Sequence, residues 1–379
     1  MTMSEVLTPG RRRVLAWVCL GLALLLLLVG SLTVWVKRQA LDTDNWVDVS
    51  SQLLEDEEVR AVASTVMVDA LFSGPNLEQR VEALLPEDLK GLAGPAVGLL
   101  REAAVPAADR LLADPRTQEL WREANRRAHE QLIAVLDGVD DGVLTTSGGD
   151  VVLNLQPLVE RLGARVGLQP VLEDGAGTVV ILSSDRLEGA QDAVRAIRTM
   201  SVLVLIGVLV LIVLAVWLAE GFRRQMLLVL GAGVTIIGGI LLVVRRVAGD
   251  ILVDALTDPT TRDAGQAVWL IGTGLLHDLA LALLTYGIIL LIGAWLAGPS
   301  AWAVAVRRRL APVMRDRVWW VYGVVAVLFL AALAWGPVSG DRRLLGVLVL
   351  AALVVAGVEV LRRQIVRESA AEAAPSPRA

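Results

Sequence analysis

The sequence predicts an α-helical membrane protein, with six transmembrane helices and a mainly helical (α+β) extracytoplasmic domain that contains a small hairpin or sheet. Three observations predict this class. The hydrophobic fraction is 55% and the mean hydropathy is +0.62, which are values too high for a soluble protein. Six apolar runs, each with at most one charge, are long enough to cross a bilayer. One long acidic stretch, residues 37–199, separates the first run from the other five.

The first apolar run, residues 14–36, is expected to be an uncleaved signal anchor (TM1). Its 23 residues carry no charge. At about 1.5 Å per residue it reaches about 34 Å, enough for a hydrocarbon core of about 30 Å. Such a run is too long for a cleaved signal peptide, and no small-residue cleavage site follows it. Arg11–Arg13 precede it, so residues 1–13 form a predicted cytoplasmic N-terminus.

Five further spans are predicted along the rest of the chain. TM2 to TM6 are assigned to residues 200–219, 226–244, 279–297, 318–335 and 344–361. The outer loop 245–278 includes the apolar segment Ala267–Leu276, which is too short to cross and is expected to be interfacial or re-entrant. Residues 298–317 form a basic cytoplasmic loop, and residues 362–379 form a cytoplasmic tail that is expected to be disordered.

Arginine placement sets the predicted orientation. The terminal segments and loops assigned to the cytoplasm hold 14 arginines, whereas the two short outer loops hold five. This bias follows the positive-inside rule and predicts a protein of the bacterial plasma membrane with both termini in the cytoplasm. The lipid bilayer is therefore a predicted partner of the protein.

The predicted outside domain is strongly acidic. Residues 39–199 carry 28 acidic and 14 basic side chains, a net charge of −14, while the remainder carries 12 acidic and 21 basic side chains, a net charge of +9. That sign argues against nucleic acid, so no nucleic-acid partner is predicted. The single cysteine, Cys19, lies in the first span, so no disulfide can stabilise the domain.

Helical and extended patterns both occur in this domain. An apolar helical face is predicted from Val59, Val62, Ala63, Val66, Met67, Ala70 and Leu71. After the cap Asp114-Pro115, a second helix is predicted to end at Gly138 and to bury one stripe: Trp121, Ala124, Ala128, Leu132 and Val135. His129 lies beside that stripe and is expected at its rim.

Three short β-prone runs follow these helices. Val143–Thr146 and Val151–Leu155 flank Gly148-Gly149 and indicate a hairpin, and Thr178–Leu182 is a third run. From Asp185 to Ala219, no proline interrupts one predicted helix of 35 residues. It is interpreted as a stiff stalk, with a signal-transmitting rod as the alternative.

Most catalytic signatures are missing from the sequence. Two histidines, one intramembrane cysteine and two lysines leave no zinc-protease motif, thiolate site or phosphate-binding loop. No catalytic residue, cofactor or resident metal is predicted.

Two groups of ionisable residues are functional candidates. His277 and Asp278 form the most polar point of the apolar stretch that ends at residue 297, and are either interface residues or part of a proton pathway. Asp250, Asp254 and Asp258 are spaced four residues apart. They form either a solvated, salt-bridged face or a site for a divalent cation.

Small residues recur every four positions inside the third span. Gly231, Thr235 and Gly239 are typical of a close helix-packing face, and not of a nucleotide-binding loop.

Four motifs carry a resemblance to a known family. They are Leu41–Val47 (LDTDNWV), Trp121–His129 (WREANRRAH), Leu296–Pro299 (LAGP) and Ala334–Pro337 (AWGP). With their order along the chain, the sequence resembles an uncharacterised actinobacterial family of multi-pass integral membrane proteins with a large extracytoplasmic domain. The resemblance implies the architecture, and it implies no reaction, ligand or functional residue.

Three functions remain open at this point. The leading hypothesis is a non-enzymatic envelope protein that binds, senses or scaffolds through its outside domain, with an envelope protein or a cell-wall component as partner. The alternatives are a transporter or channel subunit using the TM2–TM6 bundle, and an envelope enzyme. No oligomeric state is predicted.

Overall fold

The structure is a computed structural model that describes residues 8–72, 82, 90, 93–138, 144–147, 150–154, 178–182, 184–302, 304–306, 309 and 359. The chain divides into two compact units. The span unit comprises Met1–Leu32, Leu203–Arg245 and Leu275–Ala379. The polar unit comprises Thr33–Val202 and Arg246–Gly274.

Nine helices and three strands are assigned within the described residues. The helices are α1 (Pro9–Leu41), α2 (Thr43–Glu55), α3 (Glu57–Phe72), α4 (Ala93–Ala113), α5 (Pro115–Leu136), α6 (Ser184–Leu218), α7 (Arg223–Leu256), α8 (Arg262–Gly272) and α9 (Gly274–Leu296). The strands are β1 (Leu144–Ser147), β2 (Asp150–Asn154) and β3 (Thr178–Leu182).

Four of the described helices are long and apolar enough to cross a membrane. They are Pro9–Leu41, Gly189–Leu218, Arg223–Leu256 and Gly274–Leu296. The predicted spans 318–335 and 344–361 lie outside the described residues, as does the tail 362–379. The helices extend beyond the predicted spans, because a helix continues as long as its own hydrogen bonds and a packed neighbour support it.

Side-chain caps fix the helix boundaries of the polar unit. The Asp42 carboxylate accepts from the backbone N–H of Asn45 at 3.1 Å, so α2 starts where α1 ends. Asp56 accepts from the N–H groups of Glu58 and Val59 at 3.1 Å each, at the start of α3. Such caps satisfy N–H groups that have no partner inside the helix.

The predicted cap of α5 is confirmed. Asp114 accepts from the N–H of Arg116 at 2.8 Å, and Pro115 occupies the first helical position. Beyond the end of this helix, Gly138 has a φ of 74°, a conformation that suits a residue without a Cβ.

Helices α2 to α5 and α8 pack together in the polar unit. Helix α2 packs against α5, and α3 packs against α4. Two ion pairs join α3 to α4: Arg60 Nε lies 2.9 Å from Asp109 Oδ1, and Arg101 Nε lies 2.8 Å from Asp69 Oδ1. Helix α8 packs against α3 and α2.

The segment Ala267–Leu276 is divided at Thr273 between the end of α8 and the start of α9. Helix α8 is amphipathic and packs against α3 and α2. The interfacial or re-entrant placement of the segment stays a prediction.

A three-stranded antiparallel sheet has the order β1-β2-β3. Strand β1 pairs with β2 in the register Leu144↔Leu153 to Ser147↔Asp150. Strand β2 pairs with β3, with a register irregularity between Val151 and Val152. The strands coincide with the three β-prone runs of the sequence.

Helix α6 runs unbroken from Ser184 to Leu218, 35 residues that match the predicted continuous helix. At about 1.5 Å per residue its length is about 52 Å. Its first part belongs to the polar unit, and its second part, from Leu203, belongs to the span unit.

The span unit has an apolar core between α1, α6 and α7. Its buried residues are Ala16, Leu20, Ala215, Leu218, Ala219, Met226 and Leu230. Two arginines close helix ends in this unit: Arg12 Nε donates to the carbonyl of Leu218 at 3.0 Å, and Arg224 Nε donates to that of Ala294 at 3.0 Å. Cations at helix C-termini satisfy free carbonyls and interact favourably with the helix dipole.

Candidate functional site

Helix α5 has its most deeply buried side chain at His129, which is 2% exposed. The Nδ1 atom lies 3.0 Å from the Thr43 hydroxyl of α2, and Nε2 lies 3.3 Å from the carbonyl oxygen of Ala40 at the end of α1. The imidazole stacks on Trp46, with ring centroids 4.9 Å apart and an angle of 22° between the planes. His129 therefore contacts three successive turns around the junction of α1 and α2.

The two hydrogen bonds assign the tautomer. A carbonyl oxygen only accepts, so Nε2 carries the proton and donates to Ala40. Nδ1 then accepts from the Thr43 hydroxyl, and the ring is neutral. Desolvation lowers the pKa of His129, while the Ala40 carbonyl and the carboxylates of Asp42 and Glu130 act in the opposite direction.

A polar rim surrounds this histidine on the α2–α5 contact. Arg126 Nη1 lies 2.7 Å from Asp44 Oδ1, and the Trp121 indole N–H donates to the carbonyl of Ser50 at 3.1 Å. The hydrogen bond to Asp44 raises the pKa of Arg126. Along α2, residues 43, 44 and 50 contact residues 129, 126 and 121 of α5, in that order. The two helices therefore run antiparallel.

The C-terminal end of α5 contacts α6. The side-chain amide nitrogen of Gln191, Nε2, donates to the carbonyl of Val135 at 2.8 Å, and Arg198 Nη1 lies 2.7 Å from Asp137 Oδ1. His129 and Val135 are six residues apart, about 9 Å along the helix axis. Helix α5 therefore contacts the C-terminal end of α1 and the N-terminal half of α6 at two separate points along its length.

We call this set of contacts the α5 clasp: His129 with Ala40, Thr43 and Trp46, and Val135 and Asp137 with Gln191 and Arg198. The clasp contacts two helices that continue as candidate spans. It also buries one neutral imidazole, and this burial opposes protonation of the ring. A buried ring whose two nitrogens are both occupied is not arranged as a general base for a substrate.

The structure corrects two predictions for α5. His129 is buried and not at a rim, and the predicted apolar stripe is largely exposed, with Trp121, Ala124, Ala128 and Leu132 in that state. The physical reason is that Thr43 and Asp44 offer hydrogen-bond partners that His129 and Arg126, on the polar side of α5, satisfy.

A similar rotation occurs in α3. Ser64 and Val68 are its buried residues, whereas Val66 and Leu71 of the predicted apolar face are exposed. The Arg60–Asp109 and Arg101–Asp69 pairs hold the polar side of α3 towards α4.

The signal that sequence reasoning missed is the match between two motifs. LDTDNWV and WREANRRAH supply the partners of the clasp on α2 and α5, so the structure brings together two segments that the sequence identified separately. Polar residues in both motifs indicate a polar helix contact, which an apolar-stripe analysis does not detect.

His277 and Asp278 lie in the first turn of α9, and both are partly buried. The His277 Nδ1 atom is buried and has no hydrogen-bond partner among the described residues.

The three aspartates after the third span are not gathered around one point. Helix α7 ends at Leu256, so Asp258 is no longer on the helical face of Asp250 and Asp254. Asp254 pairs with Arg262, and Asp258 accepts from the N–H and hydroxyl groups of Thr260 and Thr261, which lowers the pKa of Asp258. Across the part of the chain that the structure describes, no group of three or more His, Cys, Asp or Glu side chains could hold a metal ion.

The small residues of the third span pack α7 against α9. A Cβ at Gly231 would lie 2.9 Å from the backbone nitrogen of Leu291, and a Cβ at Gly287 would lie 2.5 Å from that of Thr235. The third position of this face is Gly238, whose Cβ would lie 2.7 Å from the carbonyl oxygen of Ala280. At Gly239 no described atom lies within 4 Å, so that glycine is on another side of the helix.

No family model, curated protein or solved structure matches this chain.

Proposed function

We propose that this chain is a multi-pass plasma-membrane protein with six spans, in which the polar unit lies outside the cell membrane and binds or senses an envelope component. In this proposal the protein performs no reaction of its own. Occupancy of the polar unit is transmitted to α1 and α6, or the spans serve as a platform for a scaffold.

Charge supports the orientation in this proposal. The acidic stretch 39–199 has a net charge of −14, and arginines are concentrated in the segments that the layout assigns to the cytoplasm. Anionic cytoplasmic lipid attracts the arginines and repels an acidic domain.

The observation that carries the proposal is the α5 clasp. Helix α5 contacts both α1, through Ala40, and α6, through Gln191 and Arg198. A ligand that displaces or stabilises α5 thereby acts on two helices that are long and apolar enough to cross a membrane. The stiffness of α6, which has no break over 35 residues, supports transmission along it.

Thiol labelling in intact cells tests the orientation. In full-length Cys19→Ser protein, Glu102→Cys on α4 is expected to react with a membrane-impermeant maleimide, and Ser300→Cys to react only after permeabilisation. Each variant carries one cysteine per chain, so the two variants serve as controls for each other. Reaction of Ser300→Cys in intact cells, with Glu102→Cys protected, would reverse the layout.

Photo-crosslinking in the native envelope tests the binding role. A benzophenone amino acid replaces Leu99 or Leu111, two exposed residues of α4, in the full chain. The same envelope protein or cell-wall fragment is expected from both positions, and none from Val210, an exposed residue of the span unit. Adducts that are equally abundant at Val210 would contradict a role for the polar unit.

Transport through the spans is the second candidate, and the buried Nδ1 atom of His277 at the start of α9 favours it. A polar group at membrane depth with an open hydrogen-bonding position can belong to a proton pathway. Proton flux in liposomes that is the same for the wild type and Asp278→Asn would remove the proton-pathway form of this function.

A further inference from the structure

The exposed side of α5 carries an apolar stripe, which we call the Leu-Ala stripe: Leu120, Ala124, Ala128 and Leu132. These residues are four apart and lie on one side of the helix. Leu120 is 71% exposed and Leu132 is 47% exposed, with the indole of Trp121 beside them at 43%. Large apolar side chains in a contiguous exposed row indicate an interaction surface.

Helix α5 cannot bury this stripe by rotating. Its opposite side is fixed to α2 by the Thr43–His129 and Asp44–Arg126 contacts and to α6 by the Gln191–Val135 contact. None of the described helices of the polar unit covers the stripe, so a further partner could remove it from water.

The order of side-chain sizes is symmetric about position 126. Large, small, small and large residues follow one another at equal spacing, so the stripe reads the same in both directions. When two such helices pack antiparallel, Leu120 of one lies opposite Leu132 of the other, and Ala124 lies opposite Ala128. The central alanines allow a close approach of the backbones, and the leucines fill both ends.

Charges along one edge of the stripe are compatible with the same arrangement. Glu123 and Arg127 lie on that edge and form an ion pair at 2.6 Å within the helix. In an antiparallel pair centred on position 126, Arg127 of one copy is two residues, about 3 Å along the axis, from the point opposite Glu123 of the other. The edge therefore brings Arg127 of each copy close to Glu123 of the other. The two contacts are equivalent, as a two-fold interface requires.

A two-fold axis perpendicular to α5 at position 126 makes two copies of the helix antiparallel. Such an axis places the stripe of one copy opposite the stripe of the other, in the register that the order of side chains favours. We propose that the Leu-Ala stripe is the docking surface for the Leu-Ala stripe of a second copy of this chain.

Cysteine pairing between two copies tests the register. Two full-length Cys19→Ser chains with different tags are co-expressed, one with Ala124→Cys and the other with Ala128→Cys. After mild oxidation in native membranes, a crosslink between the two tags is expected, several-fold stronger than for either variant alone. Leu99→Cys, an exposed position on α4, is the control for chance collisions. A mixed crosslink no stronger than that control would overturn the proposal.

Charge placed in the stripe tests the contribution of its leucines. Leu120→Asp with Leu132→Asp is expected to reduce co-purification of the two tagged chains about tenfold or more, because each carboxylate would be desolvated in the contact. Leu99→Asp on α4 is the matched control and is expected to leave co-purification unchanged. Unchanged co-purification of the stripe variant, or Ala124→Cys linked to a different protein in peptide mapping, would contradict self-association.

Discussion

His129 and Thr43 contribute to stability differently from the exposed charges around them. The Thr43 hydroxyl is the partner of a buried ring nitrogen, whereas the side chains of Arg126 and Asp44 are 38% and 78% exposed. A buried acceptor that loses its donor keeps its desolvation penalty, while an exposed ion pair is screened by water. The Thr43 hydroxyl is therefore expected to contribute more to the free energy of unfolding than the Arg126–Asp44 ion pair does.

Substitution of Thr43 tests this ranking. Thr43→Val is expected to lower the free energy of unfolding by about 1–3 kcal/mol, since Nδ1 of His129 is left without a donor. Arg126→Ala is expected to lower it by about 1 kcal/mol or less. Denaturant titration of the full chain in micelles measures both values. Thr43→Ser keeps the hydroxyl and is the control; equal losses for Thr43→Val and Thr43→Ser would contradict the role of the hydrogen bond.

The titration of His129 predicts a pH dependence of stability. Because burial lowers its pKa in the folded state, the unfolded chain binds the proton more readily. Stability is therefore fully present above the unfolded value of about 6.5 and falls as the pH decreases from there towards the lowered folded pKa. The slope attributable to this group is at most about 1.4 kcal/mol per pH unit.

Comparison of the two histidines isolates this effect. His129→Asn is expected to unfold more easily at all pH values, but with the slope below about pH 6.5 reduced. His277→Asn is the matched variant and retains the slope of His129. A slope that disappears with His277→Asn, and persists with His129→Asn, would contradict the assignment.

At the scale of elements, two adjacent glycines of α7 differ in what faces them. Gly238 faces α9, where an added Cβ would lie 2.7 Å from the backbone nitrogen of Leu284, and Gly239 has no described atom within 4 Å. The sequence correctly indicated a small-residue face at Gly231 and Thr235, but continued it by strict four-residue steps to Gly239. Because the helical repeat is 3.6 residues, the face continues at the seventh position, Gly238.

Alanine at each glycine tests the packing face. Gly238→Ala is expected to destabilise the full chain by about 1–3 kcal/mol, since α7 and α9 must move apart. Gly239→Ala is expected to be neutral or to stabilise by up to about 1 kcal/mol, because alanine favours the helix. Denaturant titration in micelles distinguishes them. A larger loss of unfolding free energy for Gly239→Ala than for Gly238→Ala would contradict the assignment of Gly238 to the α7–α9 contact.

Prediction of the elements succeeded where local chemistry decides and was less accurate where packing decides. The Asp114-Pro115 cap and the length of α6 depend on residues close in the chain, and both were predictable. The buried sides of α3 and α5 depend on polar partners in distant segments, so an apolar stripe alone pointed to the wrong side. In the clasp, the contact of His129 with Thr43 joins residues 86 positions apart.

At the scale of the whole molecule, composition was sufficient for the membrane class but not for the tertiary contacts. Four described helices meet the length and apolar character of a span, as the hydropathy of the sequence indicates. The assignment of α8 to the polar unit was not predictable, because its apolar side fits a lipid interface and a protein surface equally well.

Within the polar unit, α5 contacts the segments of α1 and α6 that continue as candidate spans. Crosslinking between α5 and α6 tests this arrangement most directly, with Val135→Cys and Gln191→Cys in full-length Cys19→Ser protein. With a short bis-maleimide in native membranes, we expect linked peptides that contain both cysteines, because Gln191 Nε2 lies 2.8 Å from the Val135 carbonyl. A yield no higher than that of a Leu99→Cys and Gln191→Cys pair, although both cysteines react singly, would contradict the account.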